Sequence, residues 1–201
     1  MSVTNLQIQA LGAGSDPILH LELLPGNAPA LDASPESASD KGMAQACSWR
    51  EGYIRYSLTW FYLEPITQPA PKRPECRVLM VQLTGENTAS EYANASATLS
   101  LRYNEQVLTL QLDGELVQTI SGKGLTTLGA LRVASEGIDR RSHSTQLGFR
   151  GHMPPGTSGA MSVRIPTIQL EKREDLEWLM DLEFEDELRR LHRTQRQATP
   201  R

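Results

Sequence analysis

The sequence predicts a mainly β protein: an antiparallel β-sandwich or jelly roll that ends in a C-terminal amphipathic α-helix. Up to about residue 165, apolar residues recur with a period of two, which is typical of half-buried strands. Residues that favour turns separate about eight or nine such segments, as in sandwich folds. After Pro166 the apolar residues recur at helical spacing instead.

The first strands are predicted from simple alternation. Residues 19–23 alternate leucine with polar residues, and residues 54–62 place all their even-numbered apolar side chains on one face. Between them, the stretch 25–48 is rich in Pro, Ala, Ser and Gly and is predicted as a loop. Residues 78–83 form a nearly continuous apolar run, which is typical of a central strand.

Residues 97–120 predict three consecutive strands joined by two hairpins. If Asn104-Glu105 is a two-residue turn, Leu101 faces Leu108 and the apolar sets of both strands share one side of the sheet. Asp113-Gly114 is favoured in a type I′ turn, because both central residues of that turn need positive φ. A third strand follows this second turn.

Further strands are predicted at 128–133, 146–150 and 161–165, separated by loops that contain Gly or Pro. We therefore assign the sandwich to residues 1–168, the charged amphipathic helix to residues 169–194 and a frayed basic tail to residues 195–201.

The helix is predicted from an apolar stripe whose members lie three or four residues apart: Leu176, Met180, Phe184, Leu188 and Leu191. Acidic residues concentrate early and arginines follow, the order that complements a helix macrodipole. The stripe is too apolar to remain in water. Its first four residues are therefore candidates for docking on the sandwich or for contact with a protein partner, including a second copy of the chain.

Composition argues against several functional classes. The net charge of −4 predicts no general attraction to nucleic acid or to membranes. No apolar run approaches the roughly 18 residues of a membrane span, and the N-terminus shows no secretory signal, which favours an intracellular location. The arginine-rich tail is more typical of a solvated or partner-contacting segment than of a phosphate-binding one.

No motif indicates a metal ion or a cofactor. The segment 122–124 (Gly-Lys-Gly) lacks the first glycine and the final hydroxyl residue of a phosphate loop. The two cysteines, Cys47 and Cys76, cannot form a zinc site alone, and no histidine pair completes one. We expect both thiols to be reduced, with a disulfide between them as the alternative.

Aromatic residues cluster between positions 49 and 62, which hold six of the eleven in the chain. Tyr56, Trp60 and Tyr62 share the parity of the predicted apolar face and are assigned to the core. The remaining three are candidate exposed aromatics that can stack on sugar rings: Trp49, Tyr53 and Phe61.

The acidic run 183–187 resembles the clustered carboxylates of sandwich-fold glycanases, which divide the acid and nucleophile roles between two carboxyl groups. In a helix, however, alternate residues diverge by about 200° around the axis. A solvated helix face is therefore the favoured interpretation of this run.

The later strands and steps occur in a recognisable order: residues 108–117, 128–131, 149–151 (Phe-x-Gly) and 162–165. In this order, residues 50–170 resemble the laminin-G and concanavalin-A-like jelly rolls. The resemblance implies a sandwich and a habit of binding glycans or proteins. The chain departs from that group at residues 153–160 and in its charged helix, and no aspartate set carries over as a calcium site.

Three functional hypotheses follow. The leading one is a non-catalytic binding or assembly protein, with the sandwich as scaffold and the helix for docking or partner contact. The alternative is a lectin-like glycan-binding module that uses loop aromatics, chiefly Trp49 and Tyr53. The third is a hydrolase or lyase whose residues converge only in space.

Overall fold

A computed structural model describes residues 8–11, 17–24, 44–64, 76–103, 107–112, 115–120, 127–134, 139–143, 146–166, 170 and 172–198. Side chains are described for residues 44–64, 76–97, 150–166, 170 and 172–195.

These residues form twelve strands and two helices. The strands are β1 (Ile8–Leu11), β2 (Pro17–Leu24), β3 (Gln45–Glu51), β4 (Ile54–Leu63), β5 (Val78–Asn87), β6 (Ala93–Tyr103), β7 (Val107–Leu112), β8 (Glu115–Ile120), β9 (Thr127–Ala134), β10 (Asp139–His143), β11 (Gln146–Met153) and β12 (Ser158–Pro166). The helices are α1 (Arg173–Asp181) and α2 (Phe184–Ala198).

The strands pair into two antiparallel sheets. The first sheet has the order β1-β2-β6-β11-β10, and the second has the order β3-β4-β5-β12-β9-β8-β7. Strand β12 therefore lies between β5 and β9, near the middle of the second sheet. This confirms the predicted class, which is a mainly β two-sheet fold followed by a C-terminal helical segment.

The two predicted hairpins have different outcomes. Leu112 pairs with Glu115 across β7 and β8, which confirms the hairpin at Asp113-Gly114, although these two turn residues lie outside the described residues. The hairpin at Asn104-Glu105 is wrong, because β6 lies in the first sheet and β7 in the second. Leu101 pairs with Leu21 of β2 instead of Leu108. Apolar alternation determines which face of a strand is buried, but not which strand lies beside it.

Strands β1, β3 and β10 were not predicted. Strand β3 begins at Gln45, inside the stretch 25–48 that was predicted as a loop. It is the edge strand of the second sheet and has a single neighbour, β4. Because only Cys47 and Trp49 of this strand face the interior, its apolar alternation is too short to be recognised in the sequence.

Apolar side chains between the two sheets form an inner core. Its members come mainly from one face of β4, β5 and β12, and include Ile54, Leu58, Leu83 and Val163. The first sheet contributes smaller groups, among them Ala93, Ala95 and Met153. Burying each large aliphatic side chain contributes roughly 1.5–3 kcal/mol, so this core is a major source of stability.

A second apolar cluster, the outer core, lies on the opposite face of the second sheet beneath the helices. Its members are Phe61, Cys76, Val78, Met80, Leu170, Leu176, Leu179, Leu182 and Phe184. The second sheet is therefore covered on both faces at this end, by the first sheet and by the helices.

The single helix predicted over 169–194 is two helices. Leu182, after the end of α1, has an extended backbone (φ −70°, ψ 116°), and α2 continues to Ala198. In an uninterrupted helix, Leu182 and Phe184 would point about 200° apart. The break allows both side chains to enter the outer core.

A buried arginine lies at this break. Arg164 of β12 is 1% exposed, and its Nη1 group donates to the carbonyl oxygens of Leu179 (3.4 Å), Met180 and Leu182 (3.2 Å). The last carbonyls of a helix lack helical N–H partners and form the negative end of its dipole. The Arg164 guanidinium supplies hydrogen-bond donors and a positive charge to these carbonyls. It thereby caps the C-terminal end of α1 and anchors that end to the second sheet.

Candidate functional site

A surface groove of about 520 Å³ opens where the turn between β3 and β4 approaches the start of β6. We call it the tyrosine groove. Its lining includes Tyr53, Tyr56 and Tyr92 together with Glu51, Asn94, Ser96 and Arg150. One wall belongs to the second sheet, through the β3–β4 turn, and the other to β6 and β11 of the first sheet.

The β3–β4 turn places Tyr53 at the rim of the groove. Glu51 pairs with Ile54, which leaves Gly52 and Tyr53 as the two turn residues. Gly52 has φ of +57°, a conformation that residues with a β-carbon rarely adopt. Tyr53 is 57% exposed as a result of its position at the tip.

Hydrogen bonds tie this turn to the segment that carries Tyr92. The Tyr53 carbonyl oxygen accepts from the backbone N–H and from the hydroxyl of Thr88, both at 2.9 Å. Arg50 donates to the Gly52 carbonyl oxygen (3.1 Å) and to the Thr88 hydroxyl (3.0 Å). The positions of the two tyrosines are therefore coupled through Thr88.

Buried Asn87 supports the same segment from below. Its Nδ2 group donates to the carbonyl oxygens of Glu91 and Met153, both at 2.8 Å, and its Oδ1 accepts from the Ala89 N–H at 2.9 Å. An asparagine that satisfies this many backbone groups holds the loop in one conformation. Tyr92 follows this loop directly and is 68% exposed.

Tyr56 forms the floor of the groove and connects the two sheets. Strand β2 pairs with β6 only from Thr98 onward, so Tyr56 reaches a part of the β6 edge that β2 does not cover. Its hydroxyl accepts from the Ser96 N–H (2.9 Å) and donates to the Ser96 carbonyl oxygen (3.1 Å). Burial is the main cause that raises the pKa of Tyr56, and nearby Glu51 adds to it, so the phenol stays neutral.

Opposite charges stand on the two walls. Glu51 belongs to the second-sheet wall, and Arg150 of β11 lies opposite Ser96 in the first-sheet wall. Both side chains are exposed, and among the side chains that the structure describes neither takes part in an ion pair. The groove lining therefore carries one carboxylate, on the second-sheet wall, and one guanidinium, on the first-sheet wall.

The three predicted ligand-binding aromatics are separated by the structure. Tyr53 lines the groove. Trp49 is half-buried and stacks on Tyr56, with ring centroids 5.3 Å apart. Phe61 is 1% exposed and packs on Phe184 at 5.2 Å, so its predicted exposure is wrong. Alternation alone places Phe61 on the outer face of β4, and at Phe61 the helices rather than solvent cover that face.

Sequence reasoning missed Tyr92, Asn94 and Arg150 as groove residues. Tyr92 lies far from the aromatic cluster at 49–62, and its signal is only a large aromatic directly after a short polar loop. Nothing in the sequence joins Arg150 to this site, since its place depends on the pairing of β11 with β6.

The predicted partner-contact stripe packs on the second sheet. Leu176 and Phe184 are buried in the outer core, and Met180 and Leu188 are partly buried against it. This arrangement is docking on the sandwich, one of the two roles expected for the helix. Contact of these residues with another chain stays a prediction.

The acidic run 183–187 takes part in contacts along the helix and with the sheet. Glu185 accepts from the Gln82 amide (3.1 Å), while Asp186 and Glu187 pair with Arg189 and Arg190. These contacts are typical of a helix surface.

Cys47 and Cys76 are free and lie in different cores, Cys47 in the inner and Cys76 in the outer. Burial raises the pKa of the Cys47 thiol, and burial together with nearby Asp175 raises that of Cys76 to about 11. Within the described ranges, no set of three or more His, Cys, Asp or Glu residues is placed to hold a metal ion. No helix in that part of the chain combines the length and apolarity needed to cross a membrane.

Comparisons with protein-family models and with curated proteins find no match to this chain. Among solved structures, the chain matches part of a candidate kojibiose phosphorylase from the human microbiome, with 9% identity and a TM-score of 0.38. The match covers 75% of this chain and 22% of that one, so this chain spans less than a quarter of that protein. The likeness concerns the backbone alone, and the laminin-G resemblance stays a prediction.

Proposed function

We propose that this protein is a non-catalytic carbohydrate-binding β-sandwich and that the tyrosine groove is its ligand site. One observation carries the proposal. Within the described part of the chain, the large apolar side chains that stand exposed are Tyr53 and Tyr92, and both line this groove. Exposed aromatic surface collected in one concave site is typical of a binding site rather than of ordinary surface.

The chemistry of the lining suits a sugar. A tyrosine ring offers an apolar face for the C–H groups of a pyranose, while its hydroxyl stays in contact with solvent. The Asn94 amide can both donate and accept, and the Glu51 carboxylate accepts, so the two can pair with sugar hydroxyls. Neither Tyr53 nor Tyr92 packs against another described aromatic ring, which leaves two separate platforms for successive sugar units.

The supporting contacts reduce the cost of binding. Thr88 and Asn87 hold the β3–β4 turn and the loop before Tyr92 by hydrogen bonds of 2.8–2.9 Å to backbone carbonyl oxygens. Because the site is ordered before the ligand arrives, less conformational entropy is lost on binding.

The test is binding of the full chain to an array of neutral and acidic glycans, followed by calorimetry on the best ligand. Tyr92→Ala is expected to weaken binding about tenfold or more, which corresponds to roughly 1.4 kcal/mol. Tyr92→Phe keeps the ring and is expected to retain most of the affinity. Arg55→Ala, on the outer face of the second sheet, is the control and leaves binding unchanged.

Two results would contradict the proposal: no binding to any glycan on the array, or undiminished affinity in Tyr92→Ala and Tyr53→Ala. The assembly hypothesis has weaker support, because Leu176 and Phe184 of the proposed contact stripe are already covered by the second sheet. Light scattering of the full chain tests it separately, since assembly requires a mass above that of the monomer.

A further inference from the structure

We propose that the tyrosine groove prefers an acidic saccharide and that Arg150 binds the carboxylate of a uronic acid unit. This inference rests on the proposed function and deepens it, since it names the ligand class of the same site. Three features carry it: the position of Arg150, the absence of a described acidic partner for it, and the charge on the facing wall.

Arg150 projects from a rigid position. Strand β11 is paired on both sides, with β6 and with β10, and Arg150 lies opposite Ser96 in β6 and opposite Asp139 in β10. Ser96 is itself bonded to the Tyr56 hydroxyl across the groove floor. The base of the Arg150 side chain is thus fixed relative to the tyrosines, which is a requirement for reading a group on a bound ligand.

The nearby arginines differ in how their guanidinium groups are used. Arg50 donates to the Gly52 carbonyl oxygen and to Thr88, and Arg55 pairs with Glu86. Among the described side chains, none accepts a hydrogen bond from the Arg150 guanidinium or pairs with it. Of these three guanidinium groups, that of Arg150 is the one with no acceptor among the described side chains, which do not include that of Asp139 on the neighbouring strand.

A ligand that stacks on the tyrosines displaces water from this guanidinium. Covering a cation without providing an acceptor is costly, whereas a carboxylate compensates it with two parallel hydrogen bonds. Arginine matches a carboxylate in this bidentate way better than lysine, because its fork of donors is planar and rigid. A uronate therefore gains more from Arg150 than a neutral hexose does.

Glu51 on the opposite wall gives the ligand a direction. It repels a ligand carboxylate and accepts hydrogen bonds from sugar hydroxyls, while Arg150 attracts the carboxylate. The two walls together favour one orientation, with the acidic group toward the first sheet.

The experiment compares matched pairs of oligosaccharides by calorimetry with the full chain: oligogalacturonate, alginate and hyaluronan oligosaccharides, each beside its carboxyl-reduced neutral form. We expect at least one acidic member to bind about tenfold tighter than its neutral partner, and the preference to shrink with added salt. Arg150→Gln is expected to abolish the preference, so that the acidic and the neutral forms bind with similar affinity. Arg55→Gln is the matched control, since it also removes one exposed arginine but lies on the outer face of the second sheet, outside the groove lining, and it keeps the preference.

The outcomes separate the two proposals. Binding of saccharides with equal affinity for acidic and reduced forms, or a preference that survives Arg150→Gln, overturns the acidic-ligand inference and leaves the proposed function standing. If no oligosaccharide pair and no glycan on the array binds, both the proposed function and the acidic-ligand inference are overturned. A melting temperature of Arg150→Gln equal to that of the unmodified chain verifies that its effect is not one of folding.

Discussion

The two faces of the second sheet are built differently. The inner face is apolar along nearly the whole length of β4 and β5, where its side chains belong to the inner core between the two sheets. The outer face changes character along each strand. On β4 it runs from exposed Arg55 through Ser57 and Thr59 to buried Phe61. On β5 it runs from buried Met80 to Gln82, Thr84 and Glu86.

This difference shows how the sequence of a strand reflects the presence of helices on the outer face of its sheet. Where α1 and α2 lie on the outer face, both parities of the strands are apolar, as in the run 78–81 and at Trp60-Phe61. Where solvent reaches the face, one parity becomes polar. Along a strand, the position where apolar–polar alternation changes to continuous apolar sequence marks where the helices begin to cover the outer face.

The largest expected effect tests the covered part of the outer face. Phe184→Ala removes the ring that packs on Phe61 and is expected to lower the free energy of unfolding by about 4 kcal/mol. Ser57→Ala, on the same face of β4 but outside the helical cover, should change it by no more than about 0.5 kcal/mol. Urea unfolding followed by circular dichroism measures both, and equal losses would contradict the distinction between covered and open halves.

The next effect contrasts two arginines of the outer face. Arg164→Met leaves the carbonyls at the end of α1 without their charged donor and is expected to cost about 3 kcal/mol. Arg55→Met breaks only an exposed ion pair with Glu86, worth at most about 1 kcal/mol. Both values come from the same urea titration. A loss for Arg164→Met as small as that for Arg55→Met would show that α1 does not depend on this contact.

The smallest expected effect is on the pH dependence of stability, and it distinguishes the thiol in the inner core from the thiol in the outer core. The pKa of Cys76 is raised from 9.0 to about 11, first by burial and then by Asp175. Between these values the unfolded chain loses the thiol proton while the folded chain keeps it, so the free energy of unfolding falls as pH rises. Below about pH 9 the thiol is protonated in both states and its full contribution is present.

The measurement is the urea midpoint at about pH 8 and about pH 10, on either side of the unfolded thiol pKa. Cys76→Ala is expected to lose less stability over this interval than the unmodified chain, and Cys47→Ala to lie between them. Tyr56 and Tyr62, whose pKa values are also raised, contribute a loss of the same sign in all variants. An identical fall in Cys76→Ala and in the unmodified chain would contradict the assignment.

Much of the fold could be predicted from local pattern. Alternation over 54–62 and the apolar run 78–83 correspond to β4 and β5, and Asp113-Gly114 correctly marked the β7–β8 hairpin. The change of period after Pro166 correctly marked the helical region. These features depend on contacts between residues close in sequence, or on one face of one element, so sequence reasoning can reach them.

Other features were beyond sequence reasoning because they depend on neighbours distant along the chain. The exposure of Phe61 was predicted wrongly, since the helix that covers it lies more than a hundred residues later. Of the candidate site, only Tyr53 was anticipated, because Tyr92 and Arg150 reach the groove through the loop held by Asn87 and through the pairing of β11 with β6.

The order of apolar and polar residues was thus sufficient to assign strands, helical segments and buried faces, since side-chain direction follows directly from the two backbone periods. Which strands lie side by side, where α1 ends and which exposed aromatics share a groove depended on long-range packing. Leu101 illustrates the reason. The apolar alternation around Leu101 is compatible with pairing to Leu108 or to Leu21, and in the assembled sheets Leu101 pairs with Leu21.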